Sequence, residues 1–195
     1  NYSFEEPDAG KIVGWDGTPD IPDWSSDTAA ADSGVETGYT PTQGTYTAFL
    51  MAGDPSVYNL TDHTITAGYT YELIVDARET YQGYDLKMDL YYDDAGSRVV
   101  VATKTVSGLT GTMQECSLTF AADDVPAAIG HSIGIQFTNA SGSGWLGLDN
   151  VRLSYQSPSI AGNPDPADEA VHVHYEADLS WSAPSGLPSP AYNVY

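Results

Sequence analysis

Thr70-Tyr71-Glu72-Leu73-Ile74-Val75-Asp76-Ala77-Arg78-Glu79, followed closely by Tyr84-Asp85-Leu86-Lys87-Met88-Asp89-Leu90-Tyr91-Tyr92, decides the fold class of this chain. In the first run Tyr71, Leu73, Val75 and Ala77 share one side, and Glu72, Asp76 and Arg78 take the other. In the second, Tyr84, Leu86, Met88, Leu90 and Tyr92 alternate with Asp85, Lys87, Asp89 and Tyr91. Side chains of a strand point to opposite faces in turn, so this period of two marks half-buried sheet. Turn residues punctuate the pattern at Asp93-Asp94-Ala95-Gly96 and Ser107-Gly108-Leu109-Thr110-Gly111.

Outward from these runs, further short strands are expected at 1–5, 34–36, 45–51, 57–61, 99–106, 114–121, 131–138 and 145–155. A long loop-rich stretch holds Trp15 and Trp24. No run of ten residues carries convincing helical spacing. Many short strands at this spacing predict an all-β sandwich or barrel over residues 1–155. Residues 156–166, rich in Pro, Gly, Ser and Asn, read as a linker. Residues 167–195 hold two strands and part of a third element, too few to close a sandwich. The natural chain is therefore expected to run on past Tyr195, or these strands to complete something else.

Charge narrows the partners. Six Lys and Arg stand against 27 Asp and Glu, a formal net charge of −21. That field repels phosphate backbones and anionic bilayers, so neither nucleic acid nor membrane insertion is expected, and no apolar run is long enough for a spanning helix. Cys116 is the single cysteine; it alternates with Leu118 and Phe120 and is expected to be a buried small hydrophobe. The start at Asn1 reads like a processed mature end, so a secreted or cell-surface location is expected.

Three segments carry a resemblance. Asn1-Tyr2-Ser3-Phe4-Glu5, Ile21-Pro22-Asp23-Trp24 and Trp145-Leu146-Gly147-Leu148-Asp149-Asn150-Val151-Arg152-Leu153 resemble, in order and spacing, the galactose-binding-like jelly roll of secreted bacterial carbohydrate-binding modules. Gly44-Thr45-Tyr46-Thr47-Ala48-Phe49-Leu50 fits the same pattern. The likeness covers residues 1–155 and implies a jelly-roll β-sandwich. In the tail, residues 163–168, Leu179-Ser180-Trp181 and Tyr192-Asn193-Val194-Tyr195 resemble the first strands of a fibronectin type III-like domain.

The resemblance also implies a structural Ca²⁺ that ties the first strand to the last, with Ser3, Glu5 and Asp149 as its oxygen ligands. Such an ion takes six to eight hard oxygens, which an acidic chain can supply. It implies an aromatic sugar platform too, for which Trp15, Tyr39 and Tyr81 are the open positions. Sequons at Asn1, Asn59 and Asn139 are candidate glycosylation sites. No nucleophile elbow, phosphate loop or zinc-type cluster occurs, and no carboxylate pair has a fixed spacing. The expected function is a non-catalytic, calcium-stabilised extracellular module that binds glycan or matrix in adhesion. The alternative is a subunit of an extracellular filament that polymerises through its C-terminal strands.

Overall fold

The structure, a computed structural model, describes residues 1–6, 12–13, 23–27, 33–54, 56–158, 162–165 and 180–182. Its strands are β1 (Ile12–Val13), β2 (Ser25–Ser26), β3 (Gly34–Thr37), β4 (Tyr46–Met51), β5 (Val57–Thr64), β6 (Thr70–Tyr81), β7 (Leu86–Asp94), β8 (Ser97–Val106), β9 (Gln114–Ala121), β10 (Ser132–Asn139), β11 (Trp145–Gln156), β12 (Gly162–Asp165) and β13 (Ser180–Ser182). One sheet has the order β1-β3-β4-β11-β6-β9 and a second the order β2-β5-β10-β7-β8. Every pairing in both is antiparallel. This is a jelly-roll β-sandwich, the all-β class that the alternation predicts and the jelly roll that the resemblance implies.

The core is built from the apolar faces read in the sequence. Tyr71, Leu73, Val75 and Ala77 of β6 meet Leu86, Met88, Leu90 and Tyr92 of β7 in one cluster, with Cys116, Leu118 and Phe120 of β9 and Ile133, Ile135 and Phe137 of β10.

Two expectations are corrected. Residues 1–5 form no strand: the Val151 N–H donates to the Tyr2 carbonyl at 2.8 Å, and Phe4 turns into the left-handed region at φ 57°. That turn drops the Phe4 ring into the core, 5.2 Å from Trp24. Tyr84, expected on the inner face of its strand, is 49% exposed. The N–H groups of Tyr84 and Asp85 donate to Ser141 Oγ at 2.8 and 2.9 Å, which takes this backbone out of the ladder until Leu86.

A single glycine sets the outer surface of the five-stranded sheet. The Tyr91 ring lies across Gly134, whose added Cβ would come within 2.1 Å of Tyr91 Cζ. The Tyr91 hydroxyl then reaches the Asn59 carbonyl at 3.1 Å, and burial pushes its pKa well up. Gly134→Ala is expected to cost about 1–3 kcal/mol, the range for overpacking a tight site. Denaturant melts of Gly134→Ala and of Gly134→Ala/Tyr91→Leu check this, because shrinking the ring should restore most of the loss.

The chain divides into two compact units, Asn1–Gln156 and Ser157–Tyr195. In the second, β12 pairs with β13 through Gly162↔Ser182 and Asp165↔Ser180. A strand thus lies inside the stretch that reads as linker; the other residues of the fibronectin-like resemblance fall mostly outside the described ones.

Candidate functional site

Two of the three metal candidates from the sequence, Glu5 and Asp149, meet at one loop. Glu5 accepts N–H bonds from Thr45 (2.9 Å) and Tyr46 (2.9 Å). Gly44, at φ +67°, makes room for it, since a Cβ there would stand 2.2 Å from the Glu5 carboxyl carbon. Asp149 is buried on the outward side of β11 and accepts from the Gln43 N–H (2.8 Å), Thr42 Oγ1 (3.1 Å) and the Asn150 N–H (2.7 Å). Burial pushes its pKa up against the pull of those donors. Beside it, Asp76 Oδ2 accepts from Thr42 Oγ1 at 2.6 Å and from Asn150 Nδ2 at 3.1 Å. Ser3 is buried in the same opening segment. Glu5 and Asp149 therefore both grip the Thr42–Tyr46 loop. The donor set is of the kind a hard cation takes, carboxylate and hydroxyl oxygens from the opening segment and β11, yet among the described residues no three acidic, His or Cys side chains converge as a metal-holding group, and the partners of Glu5 and Asp149 are N–H and O–H donors.

The remaining sequence candidates scatter. Trp15 lies outside the described residues. The Tyr39 ring carries the Arg78 guanidinium at 5.6 Å, and its carbonyl accepts from Arg78 Nη1. Tyr81 is 50% exposed and lies tilted against Trp145, ring centroids 4.7 Å apart. Asn1 exchanges bonds with the Glu6 backbone. Asn59 Nδ2 donates to the Asp23 carbonyl. Asn139 is buried, its Nδ2 on the Leu50 carbonyl at 2.8 Å, a brace that an attached glycan would break.

The outer face of the five-stranded sheet holds groups that sequence reading treats as a solvated surface. Cross-strand register sets Ser25, Tyr58, Gln136, Asp89 and Thr103 in one row over β2, β5, β10, β7 and β8. Asp89 is fully buried. Its Oδ2 takes Lys87 Nζ at 2.9 Å and Gln136 Nε2 at 3.0 Å. Gln136 Oε1 in turn accepts from Arg98 Nε at 3.1 Å. The Arg98 guanidinium lies 3.8 Å from the centre of the Tyr58 ring and is paired with Asp27, whose carboxyl it holds below the ordinary range. The next row is apolar, Leu60, Gly134, Tyr91 and Val100.

Two hollows adjoin this face. One of about 330 Å³ is walled by Tyr2, Trp24, Leu60, Ile135, Val151 and Leu153, with Asp23 and Asp62 also on it. The other, about 400 Å³, shares Asp23, Trp24, Asn59 and Leu60 and adds Ser25 and Tyr58. Apolar walls with a few carboxylates at this size suit a small, flat, uncharged or cationic ligand. The sequence hid this arrangement because its members come from separate strands, and only the register joins them.

Comparison with known proteins adds the lineage. The family model described as HpiC1-like, HpiC1 cyclase, matches residues 1–154. No curated protein matches the chain. A Stig cyclase from Fischerella sp. TAU, solved with (3Z)-3-(1-methyl-2-pyrrolidinylidene)-3H-indole, superposes with TM-score 0.62 at 19% identity, over 81% of this chain and 96% of that one. A Fischerella sp. TAU cyclase with 4-(1H-indol-3-yl)butan-2-one gives TM-score 0.60 at 18% identity, over 82% and 96%. The xylan-binding CBM22-1 domain of Paenibacillus barcinonensis Xyn10C gives 0.53 at 13%, over 81% and 94%. These likenesses establish a shared sandwich fold for cyclases and carbohydrate-binding modules. The family match overturns the expectation of a non-catalytic adhesion module, and of a filament subunit with it. The absence of a linear catalytic motif misled that reading, because a sheet face assembles its groups from strands far apart in sequence.

Proposed function

The chain belongs to the HpiC1-like family of cyclases, and from that premise we propose that it closes a ring in a small substrate built on an indole or a similar flat heteroaromatic. The observation that carries this reading is the reach of the family match, residues 1–154, which takes in the whole sandwich. The indole ligands of the two Fischerella structures support the substrate class. Ring closure needs a flexible chain folded so that the reacting atoms meet, water held back, and a proton moved at the right atom. The apolar walls of Trp24, Leu60, Ile135, Val151 and Leu153 serve the first two needs, and the carboxylates along their edge serve the third.

The test is turnover. The purified chain is incubated with indoles that carry a pendant alkene, and products are followed by chromatography and mass spectrometry. An isomer of unchanged mass and new retention time is the expected result. No isomer from any member of the panel overturns the reading. A glycan is the second ligand class, supported by the xylan-binding neighbour; xylan retardation without turnover would favour it.

Calcium belongs to the same proposal. Ser3, Glu5 and Asp149 would hold it, and it would supply a structural tie between the opening segment and β11, outside the chemical step. Calcium should then raise Tm with the logarithm of its concentration, the native state gaining about 2.7 kcal/mol at a hundredfold excess over Kd. Glu5→Gln should abolish the rise. A Tm that ignores calcium and chelator alike counts against the site.

A further inference from the structure

We propose that Leu60 sets the size of the ligand this chain accepts, standing as a partition between the two hollows beside the five-stranded sheet. The inference rests on the cyclase reading and adds to it the residue that decides how long an arm the flat ring can carry.

The hollows of about 330 and 400 Å³ share Asp23, Trp24, Asn59 and Leu60, so these residues form the ridge between them. All but Leu60 are tied down. Trp24 is 3% exposed, its ring lies near Phe4 and Phe137, and its Nε1 donates to the Asn1 carbonyl. Asn59 Nδ2 donates to the Asp23 carbonyl, which fixes that pair to each other. The Leu60 side chain has no polar atom to anchor and is 46% exposed. An exposed leucine is ordinary by itself; its place on the ridge singles it out.

The backbone under Leu60 is held while its side chain is left unbraced. One residue earlier, the Asn59 carbonyl accepts from the Tyr91 hydroxyl at 3.1 Å. The cross-strand partner of Leu60 on β10 is Gly134, which has no side chain, and the Tyr91 ring takes the space over it. On its other side β5 pairs with β2 only through Val57 and Tyr58, so no strand runs beside Leu60 there among the described residues. The isobutyl group alone therefore makes the crest of the ridge. Ile135, Val151 and Leu153 wall the hollow on one side of it, and Ser25 and Tyr58 belong to the hollow on the other. A flat ring lodged against the first wall sends a long arm against Leu60. Cutting that side chain back to Cβ opens the way into the second hollow.

Titration of 3-methylindole, 3-butylindole and 3-octylindole into the full chain, followed by calorimetry, tests this. In the wild type, affinity should rise from methyl to butyl by about fourfold for each methylene buried. It should then stop, octyl binding no more tightly than butyl. Leu60→Ala should lift that ceiling, octyl gaining at least about tenfold over butyl. Leu60→Met, of similar volume, should keep it. Leu60→Phe raises the ridge and should lower the ceiling, so that butyl loses its lead over methyl. A wild-type affinity that climbs through octyl, a ceiling unmoved in Leu60→Ala or in Leu60→Phe, or no binding of any probe overturns the partition. Turnover of alkene-bearing indoles with the ceiling unmoved removes the partition and leaves the cyclase. A ceiling lifted in Leu60→Ala without turnover does the reverse.

Discussion

Phe4→Ala should destabilise the sandwich by about 3–5 kcal/mol, the range for deleting a fully buried aromatic ring. For a unit of this size that is on the order of 10 °C in Tm. Phe4 is completely buried, yet its backbone sits at φ 57°, which a non-glycine residue adopts at a cost of about 1–2 kcal/mol. The ring must offset that cost. It does so by starting an aromatic file, Phe4 to Trp24 at 5.2 Å and Trp24 to Phe137 at 5.9 Å, which joins the opening segment to β10. Trp24 is also held by its Nε1, which donates to the Asn1 carbonyl at 3.0 Å. Losing the Phe4 ring would therefore loosen both ends of the file. Phe4→Leu keeps much of the volume and should cost less than half as much. Chemical denaturation with matched m-values checks both, and equal stability of wild type and Phe4→Ala would show that the file carries no weight.

The same element shows what sequence can and cannot disclose. The period-two runs of β6 and β7 were readable because each apolar side chain reports its own face, and burial of Tyr71, Leu73, Leu86 and Leu90 follows directly. The order of the two sheets was not readable from periodicity, and the resemblance of the Phe4, Trp24 and Asp149 segments implied only the jelly-roll class. Asp89 and Tyr91 illustrate the limit. Their alternation marks them as outward, which is correct, and outward ordinarily means solvated. Here the outer face is itself covered: Gly134 lets the Tyr91 ring lie flat, and Lys87 and Gln136 close over Asp89. The Gln136–Asp89 contact spans 47 positions and Gly134 is likewise remote from Tyr91, so neither has a local signature, whereas Lys87 is close to Asp89 in sequence. Tyr84 fails for a converse reason, because its period is right but Ser141 captures its N–H.

Asp149→Ala should cost about 1–3 kcal/mol, and its dependence on pH should identify the cause. Removing the buried carboxylate takes the acceptor from the Gln43 and Asn150 N–H groups, while the Thr42 hydroxyl keeps its bond to Asp76 Oδ2 and water recovers part of the loss. Titration separates this from a simple loss of packing. Burial raises the Asp149 pKa above the ordinary value of 3.8, so the folded chain holds that proton more tightly than the unfolded chain does. The stability contributed by that proton is complete below the unfolded pKa and is lost as pH rises through the folded pKa. Asp149→Asn does not titrate and serves as the reference. The stability difference between wild type and Asp149→Asn should therefore shift against the wild type as pH climbs from 3.8 through the folded midpoint, and then level off. A difference that moves the other way would mean that the donors of the Thr42–Tyr46 loop outweigh burial. Asp149 would then be a stabilised anion at the junction of the opening segment and β11, and the loop a clamp made for negative charge.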